Sequence, residues 1–211
     1  MPDTTTRRPL PDAMDWLDSG HRLPTLDGPR VRLRCIGHED LDALFGVFSD
    51  RDALRWWRHP PFASTDDATI YLEQVHRGHV HGDLLQWGVE TRDDGDLIGT
   101  CLLAGVDAVH GRAEMRLLLR SRYWGKGYGR EAASVMLAHA FGELGLRRIE
   151  AETPPANAAS LKALEALGFK REGYLRQRWL VRGLTQDSVL LALLAQDFAQ
   201  AQADAAKSLH G

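Results

Sequence analysis

The chain has 211 residues, a length that suits one domain of ordinary size with a single hydrophobic core. Hydrophobic residues make up 44% and charged residues 26%, which is typical of a globular protein and excludes a disordered one. No apolar run reaches the roughly 20 residues of a membrane span, and a net charge of -3 provides no general attraction to nucleic acid.

The first 29 residues are rich in Thr, Pro, Asp and Gly, and they predict a loosely held extension, 1–29. A short apolar patch at Met14, Trp16 and Leu17 is the one place in it where a helical turn is expected. The domain proper begins with an alternating apolar pattern from Arg30 to Cys35, which predicts a half-buried strand. Helical spacing then predicts two helices, His38–Ser49 and Thr65–Arg77, the second with Ser64 or Thr65 as N-cap.

The rest of the chain alternates between strand and helix patterns. Strands are predicted at Leu84–Glu90, Leu97–Val106, Ala113–Leu119, Arg148–Thr153, Lys170–Val181 and Asp187–Leu194. Helices are predicted from Arg130 onward and at Ala158–Leu167, the latter with Asn157 as N-cap and Gly168 closing it. The predicted order β-α-α-β-β-β-α-β-α-β-β is that of a mixed α+β sheet, with a domain at 30–198 and a tail at 199–211.

The segment Glu114–Ala133, EMRLLLRSRYWGKGYGREAA, joins a buried strand to a helix through glycines at every second position. Gly125, Gly127 and Gly129 allow positive φ and a close approach of the backbone to a ligand. The N-terminus of the following helix presents free N–H groups and roughly half a positive charge. The segment therefore predicts a binding site for a phosphorylated cofactor, although a tight turn is the simpler interpretation of three spaced glycines.

Known phosphate-binding motifs fit this loop unequally. A P-loop requires Ser or Thr after the lysine, and Lys126 is followed by Gly127. A dinucleotide fingerprint fits only in its looser form, Gly127-x-Gly129-x-x-Ala132, and hairpin strands precede it where a βαβ unit is needed.

Two motifs resemble the GNAT acetyltransferases. Arg122-Tyr-Trp-Gly125-Lys-Gly127 matches the acetyl-CoA loop of that family, [QR]xxGxG. Asn157-Ala-Ala-Ser160, followed by Glu165-Ala-Leu-Gly-Phe169, is similar to the NxxSxxxxExxGF element of its RimJ/RimL-like branch. The resemblance covers residues 30–198. It implies the GNAT fold and an acetyl-CoA-dependent N-acetyltransferase that acts on a primary amine.

The resemblance also implies which residues meet acetyl-CoA. The strand before the loop exposes its backbone to the pantetheine, and the loop itself and one helix N-cap complete the set: Leu117, Leu118, Leu119, Arg122, Trp124, Gly125, Lys126, Gly127, Tyr128, Gly129, Arg130 and Asn157. A solvated face is the simpler interpretation of Arg122, Lys126 and Arg130.

Two residues are candidates for proton transfer. Glu114 stands where several GNAT enzymes have a general base, although it could equally be an ion-pair partner of Arg112 or Arg116. Leu164 occupies the position of the family's usual tyrosine acid, so the resemblance points to Ser160 as proton donor to the leaving thiolate. The alternative for Ser160 is a helix first-turn residue that bonds to the backbone. An α-amine, with a reference pKa near 7.7–8.0, needs less help from a base than lysine, and a water chain could suffice.

The acceptor is predicted less closely. In this family the loop between the first two helices borders the acceptor site, which implicates Trp56 and Trp57, although both could be core anchors. The acceptor is a protein N-terminus, such as that of a ribosomal protein, or a small amine such as a polyamine or an aminoglycoside. A CoA-binding module without turnover is the alternative of another class. A homodimer is left open.

Other partners are not expected. His76, His79 and His81 have no carboxylate or cysteine beside them that would set a metal geometry, so no metal is predicted. Scattered acidic residues argue against an RNA-binding face, and neither a membrane nor nucleic acid is expected as a partner. Cys35 and Cys101 are predicted to be buried thiols, and the N-terminus has no apolar signal segment. These features predict a cytoplasmic protein.

Overall fold

The computed structural model describes residues 23–208, with side chains described to residue 201. Its strands are β1 Leu26–Asp27, β2 Val31–Arg34, β3 Leu84–Thr91, β4 Leu97–Asp107, β5 Arg112–Leu119, β6 Arg148–Thr153, β7 Lys170–Val181 and β8 Leu184–Leu194. Its α-helices are α1 Leu41–Phe48, α2 Thr65–His81, α3 Tyr128–Gly142, α4 Ala158–Ala166 and α5 Ala195–Ser208. Short 3-10 helices precede α1 and α3, at His38–Asp40 and Ser121–Tyr123.

The strands form one sheet in the order β1-β2-β3-β4-β5-β6-β8-β7. Every neighbouring pair is antiparallel except β5 and β6, which are parallel because α3 carries the chain from one to the other. The turn between β7 and β8 consists of Arg182 and Gly183, both with positive φ (51° and 79°), as a tight type I′ hairpin requires.

The sheet opens at its centre. β5 and β6 pair only at their first residues, where Arg112–Glu114 faces Arg148–Glu150. In the described sheet, the remaining length of β5 pairs with β4 on one side and with no strand on the other. The backbone of β5 from Met115 to Leu119 is therefore available to a ligand along the edge that faces β6.

Two hydrophobic clusters lie on opposite faces of the sheet. Because side chains alternate along a strand, Met115 and Leu119 of β5 join the larger cluster, which packs under α3. Leu118 joins the smaller cluster with α1 and α2. Glu114 and Arg116 share the face of Leu118, so β5 directs its polar side chains toward the α1–α2 side.

The predicted order of elements is confirmed, and the structure adds strand β1 before it and helix α5 after it. Residues 23–29 are not loosely held, since Leu23 is only 6% exposed and the Trp87 indole Nε1 donates to the Pro24 carbonyl at 3.0 Å. α5 crosses the predicted boundary at residue 198 and packs its Phe198 against Phe141, with ring centroids 5.3 Å apart. The patch at Met14, Trp16 and Leu17 lies outside the described residues.

Candidate active site

A cavity of about 640 Å³ occupies the opening between β5 and β6 and continues toward the α1–α2 loop. One end lies against the glycine loop and the first turns of α3 and α4, where it is lined by Leu117, Gly129, Arg130, Ala133, Asn157 and Ser160. The other end is lined by Trp56, Trp57, Arg58, Tyr71, Gln86, Glu114, Arg116, Glu152 and Trp179. We call these the loop end and the far end of the cavity.

The glycine loop has the geometry that an anion site needs. Gly125 and Gly127 have φ of 72° and 85°, and Gly127 is the N-cap of the 15-residue helix α3. A Cβ at Gly127 would lie 3.0 Å from the Arg30 guanidinium, whereas one at Gly125 would meet nothing within 4 Å. The first turn of α3 therefore begins at a left-handed glycine, and its N–H groups have no intrahelical acceptor, which is the arrangement expected of a diphosphate site.

Contacts from distant residues hold this loop in place. The Trp124 indole Nε1 donates to the Leu119 carbonyl at 3.0 Å, and Arg30 Nη1 donates to the Lys126 carbonyl at 3.0 Å. Arg30 is held in turn by Glu131, whose carboxylate accepts from the Arg30 backbone N–H at 2.6 Å and from its Nε at 2.9 Å. Sequence reasoning missed Arg30 and Glu131 because they are 101 residues apart.

The side chains predicted to meet acetyl-CoA do not all converge. Gly129, Arg130, Leu117 and Asn157 line the cavity. Arg122 instead donates to the Tyr123 hydroxyl at 3.1 Å, and Lys126 lies over the Tyr123 ring.

Three other predicted residues serve the packing around the loop. Leu118 and Leu119 are buried, in clusters on opposite faces of β5. The Tyr128 ring lies under the Arg30 guanidinium, 5.0 Å from its centroid. Contacts of these residues and of Arg122 and Lys126 with the cofactor stay a prediction.

Asn157 and Ser160 lie together at the start of α4. The Asn157 side-chain Oδ1 accepts the Ser160 backbone N–H at 3.1 Å, so the predicted N-cap is confirmed. Both residues line the cavity, and so does Leu164, which stands where the family's tyrosine acid would be. The Ser160 hydroxyl therefore lies in the first turn of a capped helix, beside the opening of the sheet.

Glu114 is an ion-pair partner of Arg116. Its two carboxylate oxygens accept from Arg116 Nε at 2.8 Å and from Nη2 at 3.0 Å, and Arg58 Nη2 lies 4.0 Å away. Each carboxylate oxygen has two lone pairs, so one on each remains for water or an amine. Its role as a base stays a prediction.

The far end of the cavity is largely aromatic. Trp56 and Trp57 both line it, and Trp57 also packs edge-on against Phe48, with centroids 6.2 Å apart. Trp57 therefore packs against the core as well as lining the cavity, and contact of Trp56 and Trp57 with the acceptor stays a prediction. The Tyr71 hydroxyl donates to Gln86 Oε1 at 2.9 Å. Burial raises the pKa of Tyr71 to about 12, so it stays protonated at neutral pH.

Glu152 is a second carboxylate at the far end, and sequence reasoning missed it. It accepts from the Trp179 indole Nε1 at 2.9 Å and from Arg178 Nη2 at 3.1 Å. Burial alone would raise the pKa of Glu152, but the hydrogen bonds from Arg178 and Trp179 and the charge of Arg178 outweigh it and lower the pKa. Glu152 is therefore ionised at neutral pH and already has its partners.

Of the three histidines weighed as metal ligands, His79 is hydrogen-bonded to the backbone of β3. His79 Nε2 accepts the Gln86 backbone N–H at 3.0 Å, and burial lowers the pKa of His79 to about 4, which keeps the ring neutral. Within residues 23–208 no group of three or more His, Cys, Asp or Glu side chains could hold a metal ion. No described helix is long and apolar enough to cross a membrane.

Comparison with known proteins identifies the class. Residues 30–170 match the model of the acetyltransferase (GNAT) domain. The chain is 30% identical over 177 residues to p20, an uncharacterized N-acetyltransferase of Bacillus licheniformis, which covers 84% of this chain and 99% of p20. It is 24% identical to a spermidine N(1)-acetyltransferase of Vibrio cholerae, over 80% of this chain and 95% of that protein.

Solved structures share the fold. A probable GNAT-family acetyltransferase from Chromobacterium violaceum superposes with a TM-score of 0.77 at 23% identity, covering 94% of this chain and 96% of its own. A Vibrio cholerae structure described as a ribosomal-protein-serine acetyltransferase has a TM-score of 0.72 at 22% identity, covering 81% and 97%.

The chain belongs to the GNAT acetyltransferase family, and it is an acetyl-CoA-dependent N-acetyltransferase. The predicted fold, enzyme class and acyl donor are thereby confirmed. The alternative of a CoA-binding module without turnover is set aside. The loop end of the cavity fits acetyl-CoA because an open anion site lies next to the unpaired edge of β5.

Proposed function

We propose that the protein acetylates the α-amine of a protein or peptide N-terminus, as in the RimJ/RimL-like branch. The observation that carries this proposal is the pairing of charges at the far end of the cavity. Glu114 and Glu152 line it, but both carboxylates already accept hydrogen bonds from arginines, Glu114 from Arg116 and Glu152 from Arg178. The Arg58 guanidinium lies 4.0 Å from Glu114, so this end of the cavity offers little to balance an acceptor with several positive charges.

The acceptor classes differ in charge. Polyamines and aminoglycosides carry several ammonium groups at neutral pH, because amines of the lysine type have a reference pKa near 10.4. An N-terminal α-amine carries at most one charge and is partly neutral at pH 7.5, since its reference pKa is near 7.7–8.0. The far end of the cavity therefore favours the α-amine. The Asn157–Ser160 element supports the same branch on sequence grounds.

We assign the residues of the chain the following roles in transfer. Acetyl-CoA, when bound, supplies the acetyl group as a thioester. The N-terminus of α3 binds its diphosphate, and the free edge of β5 orients the pantetheine and presents N–H groups to the thioester carbonyl. Glu114 accepts, through water, the proton that the amine gives up, and Ser160 donates a proton to the leaving sulfur.

A polyamine acceptor is the second candidate, because the Vibrio cholerae relative at 24% identity is named for spermidine. Against it, the carboxylates of Glu114 and Glu152 are already paired with arginines. We also propose a cytoplasmic location, since no disulfide joins Cys35 and Cys101.

An acceptor screen tests this proposal. Purified protein and acetyl-CoA are incubated with peptides of different N-terminal residues, with spermidine and with an aminoglycoside, and the products are read by mass shift and CoA release. N-terminally blocked peptides that retain a lysine serve as matched controls. Acetylation of free N-termini with a kcat/KM at least tenfold above that for spermidine is expected. A higher kcat/KM for spermidine or for the aminoglycoside would reject the proposal.

A further inference from the structure

Arg58 reaches into the cavity from the loop between α1 and α2. Its guanidinium carbon lies 3.2 Å from the centroid of the Trp179 ring, and its side chain is 29% exposed. Stacking occupies the face of the guanidinium plane and leaves its edge, with five N–H donors, directed elsewhere. Arg58 is therefore held in position by an aromatic ring, and its hydrogen-bonding capacity stays free.

No described residue accepts a hydrogen bond from the Arg58 guanidinium. The nearest carboxylate oxygen, Glu114 Oε1, is 4.0 Å from Arg58 Nη2, and both Glu114 oxygens are hydrogen-bonded to Arg116. Glu152 is satisfied by Arg178 and Trp179. Burial and the charges of Arg116 and Arg178 lower the pKa of Arg58, but a guanidinium stays protonated at neutral pH.

Gln86 supplies a second donor without an acceptor. This residue is fully buried and lines the same cavity, and its Oε1 accepts from Tyr71 while its Nε2 has no partner among the described residues. The register of the sheet aligns Gln86, Leu102 and Arg116 in one row across β3, β4 and β5. Residues paired across neighbouring strands share a face, so Gln86 lies on the side of the sheet that carries Arg116.

The unpaired donors of Arg58 and Gln86 are best satisfied by a ligand group that accepts hydrogen bonds and carries one negative charge. Among the groups that act on Arg58, Arg116 and Arg178 are balanced by Glu114 and Glu152, so the single charge of Arg58 is left without a hydrogen-bonded carboxylate. A carboxylate matches this single charge, whereas a phosphate dianion would exceed it. A buried amide and a guanidinium that lack partners are satisfied best by a group with two oxygens.

We infer that the far end of the cavity binds a carboxylate carried by the acceptor, with Arg58 and Gln86 as its donors. The inference rests on the proposed transfer to an amine and narrows it to amines that bear a carboxylate. Such a group has two sources. It belongs to an acidic side chain close to the N-terminus of a peptide, in line with the proposed function, or to a free amino acid, which would replace the peptide as the acceptor.

Matched acids and amides test the inference by binding. Glycine, β-alanine and 4-aminobutyrate are compared with their amides, and a tripeptide that begins with aspartate is compared with one that begins with asparagine. Binding to the CoA-saturated protein is measured by calorimetry, so this readout does not depend on turnover. At least one acid is expected to bind roughly ten- to a hundredfold more tightly than its amide. Equal affinity for acid and amide in every pair would overturn the inference.

Variants then assign the preference to Arg58. Arg58→Gln should abolish the acid-over-amide ratio, and Arg58→Lys should retain part of it. Arg55→Gln is the matched control, because Arg55 stacks on Trp56 in the same loop at 5.1 Å from the ring centroid and does not line the cavity. A ratio that survives in Arg58→Gln, or that falls equally in Arg55→Gln, would refute the assignment. Thermal melts confirm that each variant is folded.

The kcat/KM values of the same acid and amide pairs separate this inference from the proposed function. Acetylation of amines without a preference for acids would refute the inference and leave the proposed transfer standing. Tight binding of acids with no amine acetylated would uphold the carboxylate site and reject the proposed acceptor class. The peptide pair and the free amino acids distinguish the two sources of the carboxylate.

Discussion

Replacement of Glu131 tests whether the start of β2 holds the cofactor loop. Its carboxylate accepts three hydrogen bonds: Oε1 from the backbone N–H groups of Arg30 and Val31, at 2.6 and 3.0 Å, and Oε2 from Arg30 Nε, at 2.9 Å. The side chain of Glu131 is 13% exposed. Glu131→Ala removes all three bonds and leaves the two backbone N–H groups without an acceptor.

The expected loss of stability follows from these contacts. A backbone hydrogen bond is worth roughly 0.5–1.5 kcal/mol net, and more when the acceptor is charged. The Arg30 ion pair adds at most about 1 kcal/mol, because the Arg30 side chain is 49% exposed. The sum is roughly 2–4 kcal/mol, which corresponds to a fall in Tm of about 5–15 °C for a chain of this size. Glu131→Gln keeps Oε1 and should lose only about 1 kcal/mol.

The contribution of Glu131 to stability should depend on pH in a defined direction. Burial alone would raise the pKa of Glu131, but the hydrogen bonds from the Arg30 backbone, the Arg30 side chain and the Val31 backbone outweigh it and lower the pKa. The contribution to stability is therefore present above the unfolded pKa, near 4.3, and is lost as pH falls through the lower folded value. The difference in Tm between wild type and Glu131→Ala should persist from pH 7 to about pH 5 and shrink below about pH 4.

Thermal melts of wild type, Glu131→Ala and Glu131→Gln across this pH range are the assay. Because Arg30 also donates to the Lys126 carbonyl, acetyl-CoA affinity should weaken in Glu131→Ala as well. A melt of Glu131→Ala within about 2 °C of wild type at pH 7 would refute the reasoning. A larger loss in Glu131→Gln than in Glu131→Ala would refute it too.

Four further substitutions address the cofactor, the chemistry and one helix cap. Gly127→Val should abolish the rise in Tm with acetyl-CoA, because φ is 85° there and a Cβ would meet Arg30; an unchanged rise would exclude this loop as the site. Ser160→Ala should lower turnover roughly ten- to a hundredfold without loss of stability, whereas Asn157→Ala should cost about 1 kcal/mol in denaturant unfolding; a normal rate in Ser160→Ala at saturation would remove it as proton donor. Glu114→Gln should lower kcat by roughly 10²–10⁴-fold with partial recovery at higher pH, and wild-type turnover at pH 7 would exclude it as the base.

Local patterns were sufficient to predict most of the fold. Alternation predicts β2, apolar runs and turn signals predict the later strands, and glycine spacing predicts the loop at Gly125 and Gly127, since all these signals lie within a few neighbouring residues. β1 was missed because a strand of two residues, Leu26–Asp27, has no periodicity to detect. α5 was missed because the sequence of Ala195–Ser208 contains one large apolar residue, Phe198, so no apolar stripe marks the helix.

The contacts that shape the cavity could not be predicted in the same way. Arg58 and Trp179 stack although a hundred or more residues separate them, and no short motif records such a pair. Arg112 and Arg116 are both two residues from Glu114 on β5 and share its face, so the spacing could not decide between them, and the structure pairs Glu114 with Arg116. Tyr71, Gln86 and Glu152 carry no signal of their own, since each would also suit a surface or a core position.

The charge of the whole chain does not predict the charge of its cavity. The net charge of -3 counts every exposed acid, and exposed charges are screened by salt over about 10 Å. The acceptor instead meets only the charges that line the cavity, in a setting where burial strengthens each interaction. There Glu114 and Glu152 are satisfied by arginines, and Arg58 is left over. A chain that is acidic overall can therefore still present a guanidinium without a hydrogen-bonded carboxylate, and for that reason we expect the protein to prefer an amine that brings a carboxylate to one that brings further positive charge.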